Sequence, residues 1–154
     1  MQTNRPFDPL LLDNQLCFPL YACAKEVVRR YTPLLDALGL TYTQYIAMMV
    51  LWEQHSITVK ELGERLYLDS GTLTPLLKKM ERQGLVSRTR SQSDERSVII
   101  ELTERGRALR EQALSVPTQM AACINLSAQD AQTLYALLHK VLAQAAQRGD
   151  HEQL

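Results

Sequence analysis

The sequence has no long hydrophobic run. Although 45% of its 154 residues are apolar, no uninterrupted stretch approaches the ~18–20 residues needed to span a bilayer. That excludes a helical membrane protein and leaves a soluble globular chain as the expectation, long enough for one sizeable core and one domain. The opening MQTNRPFDPL lacks a basic region, an apolar core and a small-residue cleavage site. Nothing in it reads as a signal peptide, and a cytoplasmic, reducing location is expected. Cysteine is scarce: Cys17, Cys23 and Cys123 cannot all pair within one chain, and in that compartment they are not expected to form structural disulfides. His55, His139 and His151 are dispersed, and Cys17 and Cys23 lack zinc-type spacing with other ligands, so neither a metal nor a cofactor is expected. Net charge is also missing, with 17 basic and 17 acidic residues. No internal repeat or low-complexity tract interrupts the chain.

What is present is a change of period along the sequence. A first helix is predicted from about Leu11 to Tyr31, with Pro19 in its early part; Pro33 and Gly39 bracket a short element, and Thr43 reads as the N-cap of QYIAMMVLWEQH. Thr58 and Glu61 have the spacing of a capping box opening VKELGERLY. After the interruption Asp69-Ser70-Gly71, the helix TLTPLLKKMERQ carries Leu73, Leu76, Leu77 and Met80 on one stripe and stops at Gly84. Two short helices joined by a tight turn are a helix-turn-helix signal. Leu85 to Arg90 and Arg96 to Leu102 then read as two strands around a polar turn. Thr103 is placed to cap a long helix beginning ERGRALREQAL, bent or broken at Pro117, and Ser127 with Asp130 opens a last helix presenting Leu134, Leu137, Leu138, Val141 and Leu142. The final QRGDHEQL is polar and expected to fray.

Charge is unevenly distributed. Between Leu76 and Arg96, Lys78, Lys79, Arg82, Arg88, Arg90 and Arg96 outnumber Glu81, Asp94 and Glu95, a local basic excess that suits a polyanion. The second helix of the pair begins with the small and polar Ser70, Gly71, Thr72 and Thr74, which permit close approach to a major groove, while its cations neutralise phosphates. A surface helix merely solvated by its charges is the common alternative; the hairpin directly behind the helix pair favours DNA. Asp94-Glu95-Arg96-Ser97-Val98, Leu102-Thr103, Gly106 and the run LYLDSGTLTPLLKKMERQGL resemble the MarR family of winged-helix regulators over about residues 14 to 117. NQLCFPLY and LDSGTLTPLLKKME resemble most closely its organic hydroperoxide-sensing repressors.

The resemblance implies a mainly α fold with a small β-hairpin wing, a winged helix-turn-helix domain with N- and C-terminal dimerisation helices. The whole chain, 1–154, would be one such domain, with dimerisation helices at 11–42 and 104–147, the helix-turn-helix at 43–103 and its wing at about 85–102. It further implies a homodimer on a near-palindromic double-stranded DNA operator, with Ser70, Gly71, Thr72, Pro75 and Lys78 at the major groove. Arg96 would enter the minor groove, oriented by Asp94.

The thiols are read separately. On a helix Cys17 and Tyr21 share a face, whereas Cys23 points about 120° away, so the two neighbouring cysteines are poorly placed to form a redox pair. Tyr31 returns to nearly the same face but roughly 21 Å along the axis, so one helix cannot join them; an antiparallel copy centred near Ala24 would set Cys17 beside the partner subunit's Tyr31, an arrangement the geometry permits. Residues alone leave two readings of Cys17, a small buried hydrophobe or a peroxide-sensing thiol stabilised by tyrosine hydroxyls and walled by Leu16, Phe18, Met48 and Trp52. The resemblance matches Cys17 to a peroxidatic cysteine and Tyr21, Tyr31 and Tyr42 to its hydrogen-bonding partners. It offers Cys123 of the other subunit as the resolving thiol, with a small external thiol as the alternative, and leaves Cys23 as packing. The expected function is a repressor that senses organic hydroperoxides at Cys17 and releases its operator; a regulator of the same fold responding to a small aromatic ligand and a thiol peroxidase are the alternatives.

Overall fold

Polar caps decide where most of the helices begin. The computed structural model describes residues 8–94 and 96–149. One turn of 3-10 helix at Leu12–Asn14 precedes α1 (Cys17–Asp36) and α2 (Tyr42–Gln54). Strand β1 (Ser56–Thr58), α3 (Val59–Leu66) and α4 (Ser70–Arg82) follow, then the hairpin β2 (Val86–Arg90) and β3 (Val98–Leu102). The chain continues into α5 (Glu104–Ala113), α6 (Val116–Ile124) and α7 (Ala128–Gly149). Residues through Met120 form one compact unit and those from Ala121 a second. Residues 1–7 of the opening segment, Glu95 of the wing and 150–154 of the polar tail lie outside the described residues. Among the described residues no helix is long and apolar enough to cross a membrane.

Several boundaries differ from expectation. The first helix starts at Cys17 rather than near Leu11, because Asp8 gathers the preceding segment, accepting the Leu10 N–H on its carboxylate and the Asn14 amide on its carbonyl. Pro19 therefore falls in the first turn, where its missing N–H has no helical partner to lose. The same helix runs through Pro33 to Asp36, so Pro33 does not bracket a separate element. Thr41, not Thr43, caps α2: its hydroxyl accepts the Gln44 N–H at 3.3 Å while the Gln44 side chain accepts the Thr41 N–H at 3.0 Å. Of the two threonines, only Thr41 has a glutamine three residues on, the reciprocal pair that a capping box requires. Asp69, Ser70 and Gly71 do not interrupt; Asp69 caps α4, and Ser70 and Gly71 form its first turn. The helix opened by Thr103 breaks at Leu114 and Ser115, leaving Pro117 in the first turn of α6.

The capping box expected at Thr58 is formed; at Ser127 the hydroxyl accepts the Asp130 N–H at 3.1 Å and donates to the Asp130 carboxylate at 2.6 Å, a cap in which the carboxylate holds the hydroxyl. The sheet has three antiparallel strands in the order β1-β3-β2, not two. Strand β1 adds Ile57 opposite Ile100; at three residues it is too short to display an alternating pattern. Leu73, Leu77 and Met80 of α4 are buried with Met48 and Leu51 of α2, Leu62 of α3 and Ile100 of β3, fixing which side of α4 faces outward.

Gly84 ends α4 as expected. It adopts φ +72°, which an L side chain resists, and the chain reverses through Leu85 N–H to the Met80 carbonyl at 3.0 Å. Thr103 seals the corner: its hydroxyl donates to the Gly84 carbonyl at 2.6 Å and accepts the Gly106 N–H at 3.1 Å. Gly106 lies so close to the Leu85 carbonyl that a Cβ there would overlap it, and its own carbonyl accepts the Trp52 indole N–H at 2.9 Å. Gly106→Ala is therefore expected to lower stability by on the order of 2–3 kcal/mol. Urea unfolding followed by circular dichroism measures this; an unchanged midpoint would show that Leu85 gives way freely.

Candidate functional site

Helix α4 presents one exposed stripe. Gly71, Pro75, Lys78 and Arg82 recur at helical spacing and are all exposed, with Ser70, Thr72 and Lys79 beside them and Thr74 half-buried. Pro75 lies on this solvent side and removes the N–H that would bond the Gly71 carbonyl. Asp69 holds the N-terminus, accepting the Thr72 N–H at 2.9 Å and the Thr72 hydroxyl at 3.0 Å. The Thr72 hydroxyl hydrogen is thereby engaged within the chain, leaving its oxygen as an acceptor. Those two bonds, the backbone one first, draw the Asp69 carboxyl below its ordinary value.

The wing is built around Asp94. Its carboxylate accepts the Arg96 backbone N–H at 3.0 Å and the Ser97 hydroxyl at 2.9 Å, and its carbonyl accepts the Ser97 N–H at 2.9 Å. Asp94 thus shapes the turn that carries Arg96 and grips its backbone rather than its guanidinium. Arg96 and Arg90 are exposed. Arg88 differs: it is half-buried, its Nη1 lies 3.7 Å from Glu81 Oε2 of α4, and its Nε is buried without a hydrogen bond. Its guanidinium spans wing and helix, and alternation in β2 could have signalled this, since Arg88 shares a strand face with the buried Val86.

The second constellation is split along α1. Cys17 is the first residue of that helix and is exposed, placed where unpaired backbone N–H groups favour negative charge. Tyr21 stands one turn on, 60% exposed, with Lys25 Nζ 5.2 Å above its ring. At the far end Tyr31 meets Tyr42 with ring centroids 4.9 Å apart and Tyr45 at 5.8 Å, and Tyr45 stands edge-on to Trp52 at 6.4 Å. Burial raises all three phenols, Tyr31 further through Tyr42 and Tyr45, so their hydroxyls remain hydrogen-bond donors at neutral pH. Within one chain, then, Tyr31 and Tyr42 are brought together and Cys17 and Tyr21 are not joined to them. Met48 is fully buried in the core and lines no accessible thiol site. Tyr45 was not singled out in the sequence; its position three residues after Tyr42 is the signal that finds it. An open groove of about 390 Å³ adjoins this cluster, lined by Tyr45, Met49, Trp52, Glu53, Arg110 and Leu114 among others. Cys123 lies in the second unit, near the end of α6, and is exposed.

Known proteins resemble this chain in sequence and in fold. Residues 29–112 match the family described as Transcriptional regulator SarA/Rot. The organic hydroperoxide resistance transcriptional regulator of Bacillus subtilis is 52% identical over 136 residues, 88% of this chain and 92% of that one. The chain belongs to the MarR/SarA family of winged-helix transcriptional regulators. That places it among regulators and not enzymes, which sets aside the thiol peroxidase. Two solved MarR/SarA relatives share its fold. AbfR of Staphylococcus epidermidis, in its reduced form bound to DNA, superposes with TM-score 0.74 at 35% identity, covering 88% of this chain and 96% of that one. The disulfide-formed state of AbfR gives 0.62 at 37% identity, covering 85% and 92%. A mutant MarR of E. coli complexed with operator DNA gives 0.73 at 29%, covering 82% and 93%.

Asp69 and Asp94 both titrate below the ordinary aspartate value of 3.8. A depressed carboxyl contributes stability that is present above its unfolded value and lost as the pH falls through its folded one. The α4 cap and the wing turn are therefore expected to persist through mild acid and release only below pH 3.8. Amide shifts of Thr72, Arg96 and Ser97 followed by NMR against pH report this; transitions above that value would contradict it.

Proposed function

We propose that this chain is a cytoplasmic, homodimeric repressor that binds a near-palindromic operator and senses organic hydroperoxides through Cys17. What carries the reading is the split constellation. A thiol at one end of α1 and a Tyr31–Tyr42 pair of protonated hydroxyls at the other form one site only if a twofold copy runs antiparallel. Apolar residues exposed on α1, namely Leu20, Tyr21 and Val28, and on α7, namely Leu134, Leu137 and Val141, supply surfaces for such a copy. The Bacillus regulator, whose name states organic hydroperoxide resistance, and AbfR, known in reduced DNA-bound and disulfide-formed states, support the same chemistry.

In this mechanism the Cys17 thiolate attacks a peroxide oxygen. The O–O bond breaks, the alcohol leaves, and Cys17, taking up one proton from solvent, becomes a sulfenic acid. The thiol of the partner subunit's Cys123 then attacks that sulfur, forming a disulfide and releasing water, with an external thiol as the alternative resolver. On DNA, Ser70, Gly71, Thr72, Thr74, Pro75 and Lys78 occupy the major groove, with Lys79, Arg82 and Arg90 on phosphates and Arg96 in the minor groove. Arg88 acts from behind, through Glu81. Because half-sites lie about 34 Å apart, a shift of a few ångströms between the two α4 helices loses one of them. The groove beside Trp52, apolar with Arg110 and Glu53 at hand, favours a second reading, a regulator released by a small aromatic ligand with Cys17 incidental.

Gel shifts with an alkyl hydroperoxide separate the two. Wild type is expected to release operator on oxidation and Cys17→Ser to hold it; release by Cys17→Ser would sink the thiol switch. Cys123→Ser is expected to release DNA but recover it readily with mild thiol. Lys79→Ala is expected to weaken binding evenly across sequences and reduce the salt slope by about one, whereas Arg96→Ala costs about 1–3 kcal/mol at the minor groove.

A further inference from the structure

Gln44 is 1% exposed, a polar side chain buried among apolar core residues. Its side-chain oxygen accepts the Thr41 N–H at 3.0 Å, and its amide donates to Gln83 Oε1, also at 3.0 Å. Gln83 in turn donates to the Gly39 carbonyl at 3.1 Å. The polarity of this chain of bonds is forced from end to end. The Thr41 N–H is a donor, so Gln44 must turn its oxygen there; its amide then faces Gln83, which must present oxygen, leaving the Gln83 amide for the Gly39 carbonyl, an acceptor. Neither glutamine can flip without setting donor against donor.

Position gives the clasp its meaning. At one end it grips the α1–α2 turn on both sides of Leu40, and Tyr42, whose ring meets that of Tyr31 at a tilt, is the first residue of α2 next to the Thr41 cap. At the other end Gln83 is the C-cap of α4, its own N–H bonded to the Lys79 carbonyl at 3.0 Å. The next residue, Gly84, carries the carbonyl held by Thr103, and β2 begins two residues later. Gln83 therefore stands where the DNA-facing helix ends and the wing begins.

We propose that the Gln44–Gln83 clasp couples the tyrosine end of the thiol site to α4 and the wing, so that a change at Tyr31 and Tyr42 on oxidation of Cys17 reaches the DNA-contacting elements. The inference rests on the thiol-switch reading. Gln44 and Gln83 are positioning residues: neither lies on the exposed stripe of α4 or touches Cys17. A directional polar link suits this task better than the apolar contacts around it, which tolerate sliding, because its bonds fail unless both ends move together.

The test uses the full-length dimer and the operator Kd before and after oxidation by cumene hydroperoxide, with dimedone labelling to follow sulfenic acid at Cys17. Gln83→Met preserves length and removes both Gln83 bonds. Its reduced-state Kd and labelling are expected to stay near wild type, while the oxidised-to-reduced Kd ratio falls by about tenfold, the scale of a typical coupling between sites. Gln44→Met combined with Gln83→Met is expected to lower the ratio no further than Gln83→Met alone, since one link can be cut only once. Should Gln83→Met fail to fold, the ratio is read on Gln83→Glu, which keeps the bond from Gln44 and loses the one to Gly39. A responsive wild type beside an equally responsive Gln83 variant overturns the clasp alone. A wild type that keeps its operator after oxidation at Cys17 overturns the thiol switch, and the clasp with it.

Discussion

Much of this molecule hangs on one hydroxyl. The Thr103 side chain donates to the Gly84 carbonyl and accepts the Gly106 N–H, so a single oxygen joins the end of α4 to the start of α5. Between those two points runs the entire hairpin, whose strands leave the corner at Val86 and return to it at Leu102, residues that face each other in the register. The wing is thus a loop closed at its root, and where Arg96 stands relative to the exposed stripe of α4 follows from the corner rather than from contacts at the wing tip. Gly106, pressed against the Leu85 carbonyl and holding the Trp52 indole, carries the same constraint into α2.

The parts written in local chemistry were legible before any coordinates. Thr58 with Glu61, Ser127 with Asp130, the Leu73–Leu77–Met80 stripe and the stop at Gly84 each depend on residues within a few positions of one another, and each is formed. What escaped depended on choice or on distance. Thr41 and Thr43 both offer a cap, and the reciprocal bond to Gln44 decides between them. Strand β1 exists only because β3 offers it an edge, and no pattern in three residues announces that. The pairing of Arg88 with Glu81 reaches across a turn, and composition counts it only as one more cation beside one more anion.

The candidate thiol site follows the same division. Helix geometry placed Cys17 with Tyr21 and parted them from Cys23 and Tyr31, as α1 does. That Tyr31 would find Tyr42, and that Tyr45 would join them, required the α1–α2 turn to fold α2 back along α1. Tertiary packing also withdrew Met48 into the core while leaving Met49, its neighbour in sequence, at 47% exposure on the groove.

Trp52 is the only tryptophan among 154 residues, and its surroundings make it more than a packing element. Its indole N–H is bonded across to α5, its ring meets Tyr45 edge-on, and it lines the open groove. The protein consequently contains its own fluorophore at the junction of helix α2, the tyrosine cluster and the wing root. Emission excited at the red edge of the spectrum comes from this one site, so a change in its wavelength or lifetime can be assigned to a place without any label being introduced.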